Sequence, residues 1–118
     1  MAFKFVPVTT IKRVIKVEIP GDFGKTTPAD FEAEFKRLSV SEARALVEKI
    51  RAKEVSEDQV LRENVVNIKG VQGEDGHEIE FSQDLLTNLI EQAYIRGPLL
   101  AGLMDVNFSL DKLKQKNS

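Results

Sequence analysis

Three serines, each placed before a short apolar stripe, most constrain what this chain can fold into. Ser39 and Ser56 are followed three residues later by Glu42 and Gln59, which is the spacing of a helix capping box, and Ser82 precedes a leucine-rich segment. The apolar positions behind each serine repeat at helical spacing, so each serine predicts the start of a short helix. These positions are Ala43, Leu46, Val47 and Ile50, then Val60, Leu61, Val65 and Ile68, then Leu85, Leu86, Leu89, Ile90 and Ala93.

The first 20 residues predict an extended segment. Ile11, Ile15, Val17 and Ile19 all stand at odd positions, with charged residues between several of them. This alternation with a period of two is typical of a half-buried strand. The Pro-Gly-Asp sequence that starts at Pro20 supplies turn residues and ends the strand.

A further helix is predicted from Thr27, because Thr27 suits the cap and Pro28 suits the first helical position. Phe31, Phe35 and Leu38 follow at i, i+4 and i+7, which is one face of a helix. Together with the next helix, this segment predicts a helical pair with a tight break between its members.

Two Gly-containing pairs mark later boundaries. Asp75 and Gly76 form a pair favoured in tight hairpin turns, so we expect a small hairpin that pairs residues 67–71 with residues 77–81. Gly97 suits the end of one helix and Pro98 the start of another, so we expect a fifth helix there.

The predicted fold is mainly α within the α+β class. It consists of an N-terminal strand, a helical pair, a small central β-hairpin and C-terminal helices. We expect one domain over residues 1–108, with a strand segment at 1–20 and a helical body at 27–106. A short amphipathic tail, residues 109–118, is expected to fray.

The composition argues against several classes of function. The 118 residues include no cysteine, which excludes a disulfide framework, a thiolate zinc site and a cysteine nucleophile. They include one histidine, His77. The acidic neighbours of His77 alternate in direction along an extended chain and do not converge on it. We therefore predict no catalytic, metal or cofactor site and no enzyme activity. No run of about 18 apolar residues is present, so no membrane span is expected.

Charge is distributed unevenly along the chain. The first 20 residues are basic, whereas residues 70–95 contain six acidic residues and no lysine or arginine. The net charge of −2 gives no general nucleic-acid footprint, and no nucleic-acid partner is expected. An open edge strand can pair with another chain, and a basic region can attract an acidic region of a second copy. The basic N-terminal region and the acidic region at 70–95 therefore predict a salt-sensitive homo-oligomer. The alternative is that both regions are ordinary solvated surfaces. The residues of this hypothesis are Ile11, Arg13, Ile15, Lys16, Glu74, Asp75, Glu78 and Glu80.

The C-terminal third holds more leucine than one edge helix needs. Two adjacent stripes at helical spacing cover a wide arc of a short helix, so one stripe is available for the core and the other for the core, a neighbouring subunit or a partner helix. The candidate partner-binding residues are Leu99, Leu100, Leu103, Met104, Leu110 and Leu113.

Several weak motifs occur in an order that resembles a known family. They are Phe5-Val-Pro-Val-Thr-Thr, Pro28-Ala-Asp-Phe-Glu-Ala-Glu-Phe-Lys-Arg-Leu38, Val66-Asn-Ile-Lys-Gly-Val71 and Tyr94-Ile-Arg-Gly-Pro-Leu-Leu-Ala101. Over residues 3–105 the chain resembles the tail assembly chaperones of long-tailed bacteriophages and their prophage relatives. Members of this family often carry a tryptophan where Ile68 or Lys69 stands here.

The resemblance implies a function without catalysis. Such proteins act in the host bacterial cytoplasm, form multimers, and bind the long helical tape measure protein so that it stays soluble until the tail tube forms around it. They are absent from the mature virion. Many also exist as a longer form, made by ribosomal frameshifting, that recruits tail tube protein.

An alternative from another class is a small nucleic-acid-binding regulator. In this interpretation the predicted helical pair from Pro28 to Lys53 forms a helix-turn-helix. The DNA-facing residues would be Arg44, Lys49, Arg51 and Lys53, although Glu42, Glu48 and Glu54 share the same region. A downstream gene that encodes a long, coiled-coil-like tape measure protein would favour the chaperone.

Overall fold

A computed structural model describes residues 2–108, in which the chain forms three strands and four α-helices. The strands are β1 (Thr10–Pro20), β2 (Thr26–Lys36) and β3 (Val65–Lys69), and the helices are α1 (Val40–Arg51), α2 (Glu57–Asn64), α3 (Gln83–Ile90) and α4 (Ala93–Phe108). The strands form one antiparallel sheet in the order β1-β2-β3. The α+β class is confirmed, but the prediction of a mainly α fold is wrong. The predicted tail at 109–118 lies outside the described residues.

Strand β2 replaces the helix that was predicted from Thr27. Phe31 and Phe35 are both buried, and their spacing of four residues fits a strand as well as a helix. The residue midway between them decides the period, because Ala33 is also buried while Glu32 and Glu34 on either side are not. This segment and α1 are therefore a strand followed by a helix, and the predicted helical pair is wrong.

The register of the hairpin explains how β2 tolerates a proline. The carbonyl oxygen of Thr9 accepts from the backbone N–H of Arg37 at 2.9 Å, so the odd-numbered residues of β1 exchange hydrogen bonds with β2. Pro28 lies opposite Glu18, an even-numbered residue, so its ring nitrogen points away from β1. Because β3 pairs with β2 only from Glu32 onwards, the proline removes no hydrogen bond from the sheet.

The predicted central hairpin forms only in part. Residues 65–69 pair with β2 as the third strand, and a single bridge joins Gln72 to Glu78. A turn forms here, but its central residues are Glu74 and Asp75 and not the predicted pair Asp75 and Gly76, because the backbone N–H of Gly76 donates to the carbonyl oxygen of Gly73. Gly76 follows them with a φ of +82°, which glycine adopts without strain.

All three serine caps are present. The Ser39 hydroxyl accepts from the backbone N–H of Glu42 at 3.1 Å, and the Glu42 carboxylate accepts from the backbone N–H of Ser39 at 3.0 Å, which completes a capping box. Ser56 and Ser82 cap α2 and α3 through one hydrogen bond each. These contacts satisfy backbone donors that the first turn of a helix leaves unpaired.

Helix α4 continues through the boundary predicted at Gly97 and Pro98, so no fifth helix begins there. Its first turn forms earlier, where the carbonyl oxygen of Gln92 accepts from the backbone N–H groups of Ile95 and Arg96. Pro98 lies inside the helix and deprives one preceding carbonyl group of its usual donor.

The core lies between the inner face of the sheet and the helices, with α4 packed mainly on β1. Gly102 permits this close approach: a Cβ atom there would lie 2.9 Å from Cδ1 of Ile15 and 3.2 Å from Cζ of Phe35. The buried core residues are Ile15, Val17, Phe31, Ala33, Phe35, Val60, Leu61, Val65, Ile68, Leu85, Leu86, Leu89, Ile90, Ile95, Leu99, Leu103 and Val106.

Candidate binding surfaces on helix α4 and strand β1

Helix α4 presents two different flanks beside its buried side. The buried side consists of Ile95, Leu99, Leu103 and Val106. One flank carries Leu100, Met104 and Phe108 at i, i+4 and i+8, all half-buried, and we call it the α4 stripe. The opposite flank carries Pro98, Ala101 and Asp105 and faces β1.

The structure divides the predicted partner-binding residues into two groups. Leu99 and Leu103 belong to the core, with 0% and 1% of their surface exposed, whereas Leu100 and Met104 belong to the α4 stripe. Leu110 and Leu113 lie outside the described residues. Phe108 was missed by the sequence reasoning, although its spacing of four from Met104 is the signal that would have found it.

Both ends of α4 are fixed by hydrogen bonds, so the stripe is held on a rigid element. At the C-terminal end, the Asn107 side chain accepts from the backbone N–H of Leu38 at 2.7 Å and donates to the carbonyl oxygens of Lys36 and Leu103. At the N-terminal end, Arg96 donates to the carbonyl oxygen of Ile90 at 2.9 Å, and its guanidinium forms an ion pair with a carboxylate of α2.

Strand β1 forms an open edge of the sheet within residues 2–108. Its odd-numbered residues bond to β2, so the backbone N–H and C=O groups of Lys12, Val14, Lys16 and Glu18 point toward the open edge. A cleft of about 310 Å³, which we call the edge groove, runs between this edge and α4. Its lining residues are Arg13, Val14, Ile15, Lys16, Pro98, Ala101, Gly102 and Asp105.

The basic residues predicted for self-association mostly meet partners within the chain. Arg13 forms an ion pair with Asp105 of α4, and Lys16 lies opposite Asp30 in the sheet. Ile15 is buried in the core, and Ile11 packs against it. Of these basic residues, Arg13 is therefore engaged within the chain, and the role of Lys16 in self-association stays a prediction.

The acidic residues of the same hypothesis lie on the loop between β3 and α3. The Glu78 carboxylate accepts from the backbone N–H of Gly70 at 3.1 Å, and the Asp75 carboxylate accepts from the backbone N–H of His77 at 2.9 Å. Glu74 and Glu80 are exposed. Two of the four carboxylates thus stabilise the loop, and their role in self-association stays a prediction.

His77 lies on the exposed tip of this loop. Its Nδ1 atom is 3.3 Å from a carboxylate oxygen of Asp75, and both side chains are exposed. Among the residues that the structure describes, no three histidine, cysteine, aspartate or glutamate side chains are grouped so that they could hold a metal ion.

No helix in the described part of the chain is long and apolar enough to cross a membrane.

The residues before β1 form a surface that the sequence reasoning did not single out. Residues 2–8, here called the N-terminal arm, lie outside every strand and helix. Phe3, Phe5, Val6 and Val8 are between 57% and 88% exposed. Their apolar side chains were grouped with the strand that follows, because the sequence does not show where pairing with β2 begins.

Comparisons of this chain with protein-family models, with curated proteins and with solved structures find no match. The candidate surfaces therefore rest on their geometry and on the order of motifs described above. The helix-turn-helix alternative loses its supporting feature, because the first of its two helices is strand β2.

Proposed function

We propose that this protein is a tail assembly chaperone of a long-tailed bacteriophage or prophage, and that it binds the tape measure protein without catalysing a reaction. It acts in the host bacterial cytoplasm and does not enter the mature virion. The order of motifs over residues 3–105 supports the family, and the α4 stripe supports the mode of binding.

The α4 stripe is the observation that carries the proposal. Leu100, Met104 and Phe108 form an apolar line that spans about 12 Å, at 1.5 Å of rise per residue, which matches roughly two turns of a client helix. The neighbouring Gly97 is small and exposed, so a second helix can approach closely. Amphipathic helices are recognised in this way, through apolar side chains at i, i+3, i+4 and i+7.

The chemistry of the stripe suits a client with varied apolar sequence. Met104 is flexible and polarizable, and methionine is frequent on surfaces that accept different partners. Because Asn107 and Arg96 fix both ends of α4, binding does not require the helix itself to become ordered. The entropic cost of binding then falls mainly on the client.

Co-expression with the tape measure protein of the same phage or prophage tests the proposal. We expect the native chain to keep the tape measure protein soluble and to co-purify with it. The double variant Leu100→Gln with Met104→Gln should lose most of this capture while it stays folded.

Phe23→Gln is the matched control, since Phe23 is a 98% exposed apolar residue in the turn between β1 and β2, at the opposite end of this hairpin from Lys36, which Asn107 contacts. The control should capture the client as the native chain does. Equal capture by the double variant and the control would place the client site elsewhere, and absence of capture by the native chain would contradict the proposed function.

Two other partners belong to the same proposal. The chaperone forms a homo-oligomer, and a longer form made by ribosomal frameshifting recruits tail tube protein. Mass spectrometry of the infected or induced host would detect peptides that begin in this chain and continue in a second reading frame. Purified virions should lack both forms.

A further inference from the structure

The N-terminal arm leaves unpaired groups of two kinds in solvent. Its four large apolar side chains are mostly exposed, and no hydrogen bond joins the backbone of residues 2–8 to the rest of the described chain. The nearest such bond is at Thr9, whose carbonyl oxygen accepts from Arg37. An extended apolar segment with free backbone groups is suited to pair with the open edge of a sheet.

The edge groove has the complementary features. Its β1 side offers the free backbone groups of Val14 and Lys16, and its α4 side offers the small or flat residues Pro98 and Ala101. The open edge continues beyond the groove at Lys12 and Glu18. These residues leave room beside the helix for large side chains. Val14, which is 59% exposed, adds apolar surface on the outer side of the same edge.

The groove fits a bare strand better than a second complete sheet. Helix α4 packs mainly over β1, the edge strand itself. If two β1 strands paired directly, each would bring its own helix, and the helix axes would lie about one strand spacing, or 4.8 Å, apart. Packed helices need 8–10 Å between their axes. A segment that carries no helix, such as the arm, avoids this clash.

The arm cannot easily reach the groove of its own chain. Thr9 is bonded to Arg37, the residue after β2, and the Thr10 hydroxyl donates to Glu34 of β2 at 2.6 Å, so the chain stays beside β2 up to this point. To fold back, the arm would need a tight turn at Pro7 and Val8, where neither residue suits the positive φ of hairpin turns. A second copy offers the same groove without that turn.

We propose that the arm of one copy adds as an antiparallel strand to the β1 edge of a second copy, within the edge groove. Pro7 determines which residues face β1, because its nitrogen carries no hydrogen and must point away. Lys4, Val6 and Val8 then bond to the edge, and Phe3 and Phe5 point toward α4. This arm exchange is independent of the α4 stripe, so its failure would leave the proposed client site untouched.

Disulfide trapping tests the exchange directly, since the native chain has no cysteine. Phe5→Cys and Ala101→Cys are prepared as separate proteins, one with a size tag, and mixed under mild oxidation. Both positions are exposed, so the fold should be retained. We expect the mixed disulfide to form at least about tenfold faster than with Val40→Cys in place of Ala101→Cys, because docking raises the local thiol concentration.

A mixed-disulfide rate no higher than that of the Val40→Cys control would overturn the proposal. So would a double variant, Phe5→Cys with Ala101→Cys, that oxidises fully within single chains. Sedimentation gives a second test: the full chain should form multimers, and a chain without residues 2–8 should be monomeric at the same concentration. Unchanged multimers after the deletion would also count against the exchange.

Discussion

Two neighbouring leucines on α4 show how one helix serves two purposes. Leu99 is fully buried against the sheet, whereas Leu100, one position along, lies on the half-buried α4 stripe. The same contrast is repeated one turn later by Leu103 and Met104. Apolar composition alone therefore does not separate core from binding surface, whereas the direction of each side chain around the helix does.

The largest expected effect is on the buried side of α4. Leu103→Ala should lower the free energy of unfolding by about 2–5 kcal/mol, because it removes buried methyl groups and leaves a cavity beneath the sheet. Urea denaturation at neutral pH measures the loss. A change of less than about 1 kcal/mol would mean that the buried side is not packed as described.

A smaller effect is expected where α4 is joined to β2. Asn107→Ala removes three hydrogen bonds and leaves the backbone N–H of Leu38 without its partner, which should cost about 1–3 kcal/mol. Asn88→Ala, on the exposed side of α3, is the matched control and should be nearly neutral. Equal melting temperatures for the two variants would show that the C-terminal end of α4 is not held by Asn107.

The helical half of the fold could be predicted from local signals. Ser39, Ser56 and Ser82 each cap a helix as expected, because capping depends on residues within one turn of each other. The end of α3 and the start of α4 were not predicted. Gly97 and Pro98 favour a boundary locally, but the packing of Ile95 and Leu99 in the core favours a continuous helix.

The sheet could be predicted less well than the helices. Phe31 and Phe35 fit two periods, and Ala33 between Glu32 and Glu34 fits only the strand period, a signal that the helix prediction passed over. The pairing of β2 with β1 and β3 depends on contacts between distant parts of the chain. The division of the predicted partner-binding residues could not be read from the sequence. Leu100 and Met104 are half-buried, with Leu100 packed against the core, and which leucines belong to the core followed from the position of α4 over β1.

Changing Ser39 to alanine breaks the capping box of α1 and should lower the free energy of unfolding by about 0.5–2 kcal/mol. The stability contributed by this capping box should also depend on pH. The backbone N–H of Ser39, and then its hydroxyl, bond to the Glu42 carboxylate and hold the pKa of that group below its ordinary value of 4.5. The charged form is therefore favoured by folding, so this contribution is present above pH 4.5 and is lost as the pH falls through the folded-state pKa.

Ser56→Ala is the control for this pH dependence, because the third helical residue after Ser56 is Gln59, which does not titrate. Glu42→Gln, which removes the titrating carboxylate, and Ser56→Ala are each compared with the native chain by urea denaturation from pH 6 down to pH 3. The difference caused by Glu42→Gln should shrink as the pH falls, and the difference caused by Ser56→Ala should stay constant. Parallel pH profiles for the two variants would contradict the role of Glu42.

The smallest effect on stability is expected on the α4 stripe itself. Met104→Gln keeps the length and the helix propensity of the side chain and replaces only its half-buried thioether end with an amide. The amide can stay hydrated at this flank, so the free energy of unfolding should change by no more than about 0.5 kcal/mol. Leu103→Gln, one residue away, places the same amide in the core and should destabilise the chain far more, because a buried amide without partners loses its hydration. Urea denaturation of the two variants side by side measures the contrast between the α4 stripe and the buried side of α4. Similar losses at both positions would show that Met104 belongs to the core, and the α4 stripe would then have no free surface to offer a partner helix.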